Sequence, residues 1–252
     1  PTNDTTDVNV NQNLVGTFSE AMNVSSLQYS ITPNPGGLNV SWNSANTALT
    51  ISHTVFSSST AYTVQITSIK DGYGNELASS SVPNPWSFTS ADIIDPTVSS
   101  SSPTNGSTGV SLNTQIVITF SEAMNQTSLT YTINPNPGNW SVSWNSGSTI
   151  ATFGHSQFTE NTDYAFKVTS AKDLTGNDLA GGTFVLDFRT GDFTSPQIVS
   201  ATPTNDTTDV NVDQDIVVTF SEAMNTSSLQ YSVTSNPGGL EASWNSAKTT
   251  LT

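Results

Sequence analysis

The stretch FSEAMN occurs three times in the chain, at residues 18–23, 120–125 and 220–225. The triplet PTN begins at Pro1, Pro103 and Pro203, so both strings recur at offsets of 102 and 100 residues. The 50 residues from Pro1 match those from Pro203 at 39 positions and those from Pro103 at 29 positions. Because internal repeats determine the architecture before any local pattern does, we predict a tandem array whose larger unit is a pair of domains.

Apolar residues alternate with polar ones throughout the second copy, which is typical of half-buried β-strands. The predicted strands include Val98 and residues 116–120, 129–133, 140–144, 151–153, 164–168 and 184–188. Turn residues such as those at 136–138 and 175–177 separate these segments. The pattern predicts an all-β protein of tandem Ig-like β-sandwich domains with about seven strands each.

The repeat offsets place the predicted domains at residues 1–92, 96–191 and 195–252. The first domain has no counterpart of residues 96–102, and the third stops before the segment that matches Tyr62 onward. We therefore expect a segment of a longer protein. A first domain without its first strand would also be open to a strand from a neighbouring molecule.

The order of motifs in one repeat resembles a known family. PTN, FSEAMN, an aromatic-rich hairpin, a tyrosine-containing strand, D-x-x-G-N-x-L and a closing F-x-T follow one another as in the bacterial Ig-like domains of S-layer and surface-adhesion proteins. The resemblance covers all of the second copy and the available parts of the other two. It implies a β-sandwich that serves as a spacer, surface-layer or adhesive module, and it implies no catalytic site.

The charge balance excludes several classes of partner. Asp and Glu outnumber Lys and Arg 20 to 5, which gives a formal net charge of −15. Nucleic-acid binding needs clustered basic residues, so we expect no nucleic-acid partner. No apolar run approaches the length of a membrane helix, so we expect no membrane insertion in this segment. The absence of cysteine excludes disulfides and thiolate metal sites.

FSEAMN itself is interpreted as scaffold. Ser121 is predicted to cap a short helical turn with Glu122 at its start, and Met124 is predicted to fold back over the core. A catalytic role for Glu122 would need a second carboxylate or a base beside it, and the sequence identifies none. His53 and His155 are interpreted as turn residues, because neither lies in a G-x-S-x-G or H-E-x-x-H motif. We therefore predict that the protein is not an enzyme.

Acidic residues cluster near the predicted domain joints, where hard oxygen ligands would suit a structural Ca²⁺ ion. The candidate metal ligands are Asp92, Asp95, Asp187 and Asp192. The alternative is that these residues are solvated or form turns. Candidate glycosylation sites of the N-x-S/T type are Asn3, Asn23, Asn39, Asn105, Asn125, Asn139, Asn205 and Asn225.

Together these observations predict a structural repeat of a large extracellular or cell-surface protein, surface layer or filament. Its expected partners are other copies of itself or neighbouring repeats. A carbohydrate-binding or adhesin accessory module, with glycans as partners, is the alternative. That alternative requires an exposed aromatic platform, and Trp140 is a candidate because the other copies have Leu38 and Leu240 there.

Overall fold

The computed structural model describes residues 1–79, 82–235 and 238–252. It divides the chain into two compact units, Pro1–Gly191 and Asp192–Thr252. The first unit contains two β-sandwiches, here called the first and second sandwich, and these carry the sites discussed below. The chain is all-β and Ig-like, as predicted. Within the described residues, no helix is long and apolar enough to cross a membrane.

The first sandwich consists of seven strands in two sheets. The sheets have the orders β1-β7-β6-β3 and β2-β5-β4. The strands are β1 (Thr5–Val8), β2 (Leu14–Thr17), β3 (Met22–Thr32), β4 (Asn39–Trp42), β5 (Ala48–Ser52), β6 (Ala61–Asp71) and β7 (Trp86–Ser90).

The second sandwich consists of eight strands, with sheet orders β12-β13-β10-β8 and β11-β14-β15-β9. The strands are β8 (Val98–Ser102), β9 (Ser107–Val110), β10 (Ile116–Phe120), β11 (Thr130–Asn134), β12 (Ser141–Trp144), β13 (Ile150–Gly154), β14 (Asp163–Ser170) and β15 (Phe184–Thr190). The additional strand is β8, which pairs with β10; the described residues of the first sandwich include no strand at that position.

Each sandwich encloses its own apolar core between its two sheets. In the second sandwich the inward residues of β10, β13, β14 and β15 are buried, because alternate side chains of a strand point to the same face. Tyr164 is almost fully buried, and its hydroxyl accepts a hydrogen bond from the Thr159 backbone N–H at 2.8 Å. Met124 is 1% exposed, which confirms that it covers the core.

The unit Asp192–Thr252 contains a smaller sheet of the order β16-β17-β18. Its strands are β16 (Ile198–Thr202), β17 (Val217–Phe220) and β18 (Thr250–Leu251). The five residues of β16 are all exposed. The strands β16 and β17 therefore repeat the pairing of β8 with β10.

Two details differ from the sequence-based expectations. The predicted helical turn at Ser121 is wrong: a 3₁₀ helix spans Gln126–Ser128, and Asn125 caps it by accepting from the Thr127 N–H. The Ser121 hydroxyl accepts instead from the Thr97 N–H at 2.9 Å. The alternation along residues 140–144 also predicted that Val142 faces the core, but Val142 is 36% exposed on β12, which lies at the edge of its sheet.

Candidate functional site

The segment that joins the two sandwiches is hydrogen-bonded to the first one. The Ser58 hydroxyl donates to Asp92 Oδ1 at 2.7 Å and accepts from the Ile93 N–H at 2.8 Å. The Ile94 N–H donates to the same Asp92 oxygen at 3.1 Å. One serine and one aspartate thus hold three consecutive residues of the joint against the first sandwich.

The same segment is hydrogen-bonded to the second sandwich. Asn177 Nδ2 donates to the Asp92 carbonyl at 3.3 Å, and the Ala180 N–H donates to the Pro96 carbonyl at 2.9 Å. Strand β8 then begins two residues after Pro96. Asp92 therefore contacts both sandwiches, through its side chain on one side and its carbonyl on the other.

Asp173 organises the turn of the D-x-x-G-N motif. Its Oδ1 accepts from the backbone N–H groups of Thr175, Gly176 and Asn177 at 2.6–2.9 Å. Its Oδ2 accepts from Asn177 Nδ2 at 2.8 Å and from the Thr175 hydroxyl at 3.0 Å. Asp173 is 2% exposed, so a buried carboxylate is satisfied by a turn that wraps around it. Asn177 connects this turn to Asp92.

Three carboxylates meet beside this turn. One oxygen from each of Asp92, Glu122 and Asp173 lies within 4.8 Å of the other two. We call these residues the joint cluster. Asp92 comes from the connecting segment, Glu122 from the repeated FSEAMN string and Asp173 from the turn. Sequence analysis identified no carboxylate partner for Glu122, and the structure places two beside it because the fold closes around the joint.

The three carboxylates differ in their hydrogen bonding. Burial raises the pKa of Glu122 above its ordinary value, and the negative charges of Asp92 and Asp173 raise it further. The hydrogen bond from Ser58 lowers the pKa of Asp92. Burial opposes ionisation of Asp173, but the hydrogen bonds from Asn177, Thr175 and Gly176 together lower its pKa. Glu122 is thus the member whose charge the protein compensates least.

No ion pair among the described residues involves the joint cluster. Lys172, which precedes Asp173, places its Nζ 2.7 Å from Asp178 instead. Three oxygen donors without a basic partner are the chemistry that a hard divalent cation such as Ca²⁺ recognises. Five hydrogen bonds already occupy the lone pairs of Asp173 Oδ1 and Oδ2, so Asp92 and Glu122 offer the more accessible oxygens.

The other predicted metal ligands lie elsewhere. Asp95 is exposed in the joint and belongs to no group of three or more such residues in the described part of the chain. Asp187 is exposed on β15, where its N–H donates to Asn105 Oδ1 at 2.8 Å. Asp192 lies in the second unit, and its Oδ1 accepts from the Thr194 N–H at 3.2 Å. Of the four residues, Asp92 is the one that meets other carboxylates.

The first sandwich has the same turn, and its described residues include no group of three carboxylates beside it. Asp71 accepts from the backbone N–H and side-chain amide of Asn75 at 2.8 and 2.7 Å, and these bonds lower the pKa of Asp71. Glu20, the counterpart of Glu122, is exposed. Comparison of the two copies therefore distinguishes the role of the turn, which both sandwiches have, from the role of the joint cluster.

The histidines and Trp140 have structural contacts. The His155 ring stacks on Phe158 with centroids 3.9 Å apart, and its Nε2 lies 2.9 Å from the Thr114 carbonyl. Trp140 is partly buried against the core, and its indole N–H donates to Asn136 Oδ1 at 2.8 Å. This indole packs edge-on against another aromatic ring of the core, Tyr131. Trp140 is therefore a poor stacking platform for a sugar.

All eight candidate glycosylation asparagines are exposed. Several already use the side-chain amide within the fold. Asn3 accepts from the Ser87 N–H at 2.9 Å, and Asn139 Nδ2 donates to the Ser156 hydroxyl at 2.7 Å. Glycosylation of these residues stays a prediction.

Solved structures with a similar arrangement share little sequence with this chain. A titin I-band fragment, I67–I69, is 10% identical with a TM-score of 0.39, covering 75% of this chain and 63% of the fragment. The S-layer protein rSbsC(31–844) is 15% identical with a TM-score of 0.29, covering 50% of this chain and 18% of its own.

A third structure is SGBP-B of the Bacteroides ovatus mixed-linkage glucan utilization locus, in complex with a mixed-linkage heptasaccharide. It is 14% identical with a TM-score of 0.23, covering 77% of this chain and 46% of its own. The chain thus spans less than two thirds of the length of each of these structures. No curated protein matches the sequence.

The family comparison agrees with the repeats and the sandwiches. The model of the bacterial Ig-like domain matches residues 1–90, 92–190 and 192–252, which together span nearly the whole chain. On the repeated motifs, the sandwich topology and this match, the chain belongs to the bacterial Ig-like domain family.

Proposed function

We propose that the chain is a structural repeat module of a large cell-surface or extracellular protein, in which successive sandwiches act as spacers. The observation that carries this proposal is the joint between the two sandwiches of the first unit. Asp92 contacts Ser58 on one side and Asn177 on the other. A joint of this kind limits bending between neighbours, and a spacer needs that property more than it needs a pocket.

The experiment measures the stiffness of the joint in the full chain. Because the chain has no cysteine, spin labels can be attached through Ser44→Cys and Ser146→Cys, which are exposed residues at matching positions of the two sandwiches. Pulsed dipolar spectroscopy is expected to give a narrow distance distribution. Asp92→Ala removes the bonds to Ser58, and we expect a broader distribution. A broad distribution in the unsubstituted chain would contradict the spacer role.

We propose, as part of this role, that Ca²⁺ stabilises the joint at the joint cluster. Three lines support the proposal: the convergence of Asp92, Glu122 and Asp173, the lack of a basic partner among the described residues, and the position of Asp92 between the sandwiches. A cation there would connect the joint to the second sandwich directly, and its charge would offset the burial and the repulsion that together raise the pKa of Glu122.

Calorimetric titration of the chelator-treated chain with Ca²⁺ tests this part separately. We expect one site, with the affinity reduced at least tenfold by Glu122→Gln and left unchanged by Glu20→Gln, because Glu20 belongs to no such cluster in the described residues. Saturating Ca²⁺ is expected to raise the thermal unfolding midpoint. Equal titration curves for the two variants would exclude the joint cluster as the Ca²⁺ site. The spacer role would be unaffected, because the distance measurement tests it separately.

The glycan-binding alternative has less support. It would need an aromatic surface free to stack on sugar rings, whereas Trp140 packs on Tyr131 and hydrogen-bonds to Asn136. A catalytic role has no support beyond the proximity of the carboxylates, because Asp173 is committed to its turn by five hydrogen bonds.

A further inference from the structure

His53 lies at the start of the loop that leads from β5 to β6 in the first sandwich, residues 53–60. Both of its ring nitrogens face backbone carbonyl oxygens. Nδ1 lies 2.5 Å from the Thr54 carbonyl, and Nε2 lies 2.9 Å from the Gln12 carbonyl. Thr54 belongs to the loop itself, whereas Gln12 belongs to the segment between β1 and β2. One side chain therefore connects two separate segments of the sandwich.

The two carbonyls decide which form of the ring satisfies both contacts. A carbonyl oxygen only accepts hydrogen bonds, so each ring nitrogen has to donate. A neutral imidazole has one N–H, and its other nitrogen then turns a lone pair toward a carbonyl oxygen. The protonated ring has two N–H groups and donates to both carbonyls. The geometry around His53 thus suits the protonated form, and the neutral form leaves one contact without a hydrogen bond.

The aromatic neighbour of His53 favours the same form. The imidazole stacks on Phe56, with ring centroids 3.7 Å apart and an interplanar angle of 25°. Phe56 is 1% exposed and packs against Tyr62, so its ring is held in place by the core. The face of an aromatic ring carries negative potential and attracts a cation. Stacking therefore adds to the preference for a charged imidazole.

No other titratable residue lies in the segments around this ring. Residues 9–13 and 52–56 contact it, and residues 34–38 hold Thr54 through the Pro35 and Gly36 carbonyls. These segments contain no Asp, Glu, Lys, Arg or Tyr. The loop reaches a carboxylate at Asp92, whose pKa is lowered by the hydrogen bond from Ser58. Histidine is the residue type that changes charge between about pH 5 and 8.

The second sandwich repeats this arrangement at His155. Nδ1 lies 2.6 Å from the Ser156 carbonyl, and Nε2 lies 2.9 Å from the Thr114 carbonyl. The ring stacks on Phe158 as His53 stacks on Phe56. The contact between two carbonyls is therefore a feature of the repeat and recurs in a sandwich of eight strands.

In the first sandwich the same loop carries a residue of the joint. The Ser58 hydroxyl donates to Asp92 and accepts from the Ile93 N–H. Between His53 and Ser58, the Phe56 N–H donates to the Val10 carbonyl at 2.9 Å, which is a second bond to the segment between β1 and β2. A loop that loses its contact at His53 holds Ser58 less firmly against the joint.

We propose that protonation of His53 stiffens the joint by clamping the loop that carries Ser58, so that the joint loosens as the pH rises. The protonated ring holds both Thr54 and Gln12, whereas the neutral ring donates to one of them. This inference rests on the proposed spacer role and names a condition that regulates it. His155 holds the corresponding loop of the second sandwich, whereas Ser58 belongs to the first, so His155 is the matched control.

Nuclear magnetic resonance of the ring nitrogens tests the clamp itself. The sequence has two histidines, and the variants His53→Gln and His155→Gln assign their signals. In the ¹⁵N-labelled full chain at about pH 5, we expect two ring N–H protons for each histidine that exchange slowly with water. One of the two should disappear as the pH is raised to about 8. A His53 ring that never shows two protected N–H protons would overturn the inference.

Hydrogen exchange at Phe56 provides a measurement that needs no substitution. Its backbone N–H lies in the clamped loop and bonds to Val10. The protection of this N–H, relative to an unstructured chain at the same pH, should fall roughly 2- to 12-fold between about pH 5 and 8. This is the equilibrium ratio that corresponds to one hydrogen bond. In the His53→Gln chain the protection should be low throughout and should not change with pH.

Pulsed dipolar spectroscopy tests the connection to the joint, with the labels at Ser44→Cys and Ser146→Cys and with chelator present. All chains also carry Glu122→Gln, so that titration of the joint cluster does not contribute. The distance distribution should be narrow at about pH 5 and should broaden by about pH 8. We expect His53→Gln to give the broad distribution already at the lower pH, and His155→Gln to respond as its parent does.

The possible outcomes separate this inference from the spacer role. A distribution that stays narrow across the whole pH range would overturn the inference and leave the spacer role intact. A distribution that is broad at every pH would contradict both. Broadening that is the same with and without His53→Gln would assign the pH dependence to another group and would also overturn the inference.

Discussion

At the scale of single residues, Glu122 is the most informative position of the chain. It lies in a string that occurs three times, yet in the first copy Glu20 is exposed and in the second copy Glu122 meets two other carboxylates. The same sequence motif thus serves two environments. In the second copy the joint segment contributes Asp92 to this environment.

Glu122→Gln is expected to stabilise the chain in the absence of added cation at neutral pH. The pKa of Glu122 is raised in the folded state by burial and then by Asp92 and Asp173. Between the ordinary value, 4.5, and the raised pKa, the folded protein binds more protons than the unfolded chain, so the free energy of unfolding falls as the pH rises through that interval and stays lower above it. Glutamine carries no charge and avoids this loss.

The free energy of unfolding of the Glu122→Gln chain should rise by about 0.5–2 kcal/mol, the range that optimised surface charges commonly give. Urea denaturation measures it at neutral pH, and the difference between variant and parent should vanish at a pH below the ordinary value, where both side chains are neutral. Glu20→Gln is the matched control and should leave the stability unchanged. A destabilised Glu122→Gln chain in chelator would show that the ionised carboxylate has a protein partner.

The sequence predicted part of this site. Asp92 was identified as a metal candidate because acidic residues cluster at the joints. Glu122 and Asp173 were seen as members of repeated motifs, but their meeting depends on how the connecting segment folds back between β10 and the turn after β14. The sequence does not reveal this meeting because Asp92 and Asp173 lie far apart in the chain. The tertiary structure and the side-chain amide of Asn177 bring them together.

At the scale of elements, the three copies share the string Trp-Asn-Ser, and its asparagine closes the hairpin that follows. Asn145 Oδ1 accepts from the N–H groups of Thr149 at 2.8 Å and Ile150 at 3.0 Å. The same two bonds recur at Asn43 and Asn245. One side chain therefore satisfies two backbone donors in a turn between paired strands, which fixes the register of β12 against β13.

Asn145→Ala is expected to lower the free energy of unfolding by about 1–3 kcal/mol, because each of the two bonds contributes roughly 0.5–1.5 kcal/mol. Thermal or urea denaturation followed by fluorescence of the tryptophans measures it. Ser146→Ala, at the next and equally exposed position, should stay within about 0.5 kcal/mol of the parent. Equal effects of the two substitutions would assign the loss to general turn propensity.

Most strands of the second sandwich were predictable because their buried residues alternate clearly. Strand β10, with buried Ile116, Ile118 and Phe120, is an example. Strand β9 was missed because Val110 is its only buried residue and its other three positions give no period. The helical turn was displaced because Ser121 and Asn125 are both good caps, and the pairing of Ser121 with Thr97 required knowledge of β8.

At the scale of the whole molecule, charge and repetition act together. A formal charge of −15 keeps copies of the chain apart at low ionic strength. Any association between copies of the chain should therefore strengthen as salt screens the acidic surfaces.

The two sandwiches of the first unit have separate cores. The buried cluster around Ile51 and the buried cluster around Phe153 have no residue in common. These two residues occupy matching positions on β5 and β13, and each is at most 1% exposed. In a tandem protein with separate cores, a core substitution should destabilise only the sandwich that contains it.

Ile51→Ala is expected to cost the first sandwich about 2–5 kcal/mol and Phe153→Ala to cost the second about 3–5 kcal/mol. Residue-resolved hydrogen exchange of the full chain distinguishes the two sandwiches, and each substitution should raise exchange in its own sandwich alone. In the double variant the two losses should add within about 0.5 kcal/mol, since the sites share no partners. A larger coupling would mean that the joint at Asp92 transmits strain, and the two sandwiches would then have to be treated as one cooperative unit instead of two spacers in series.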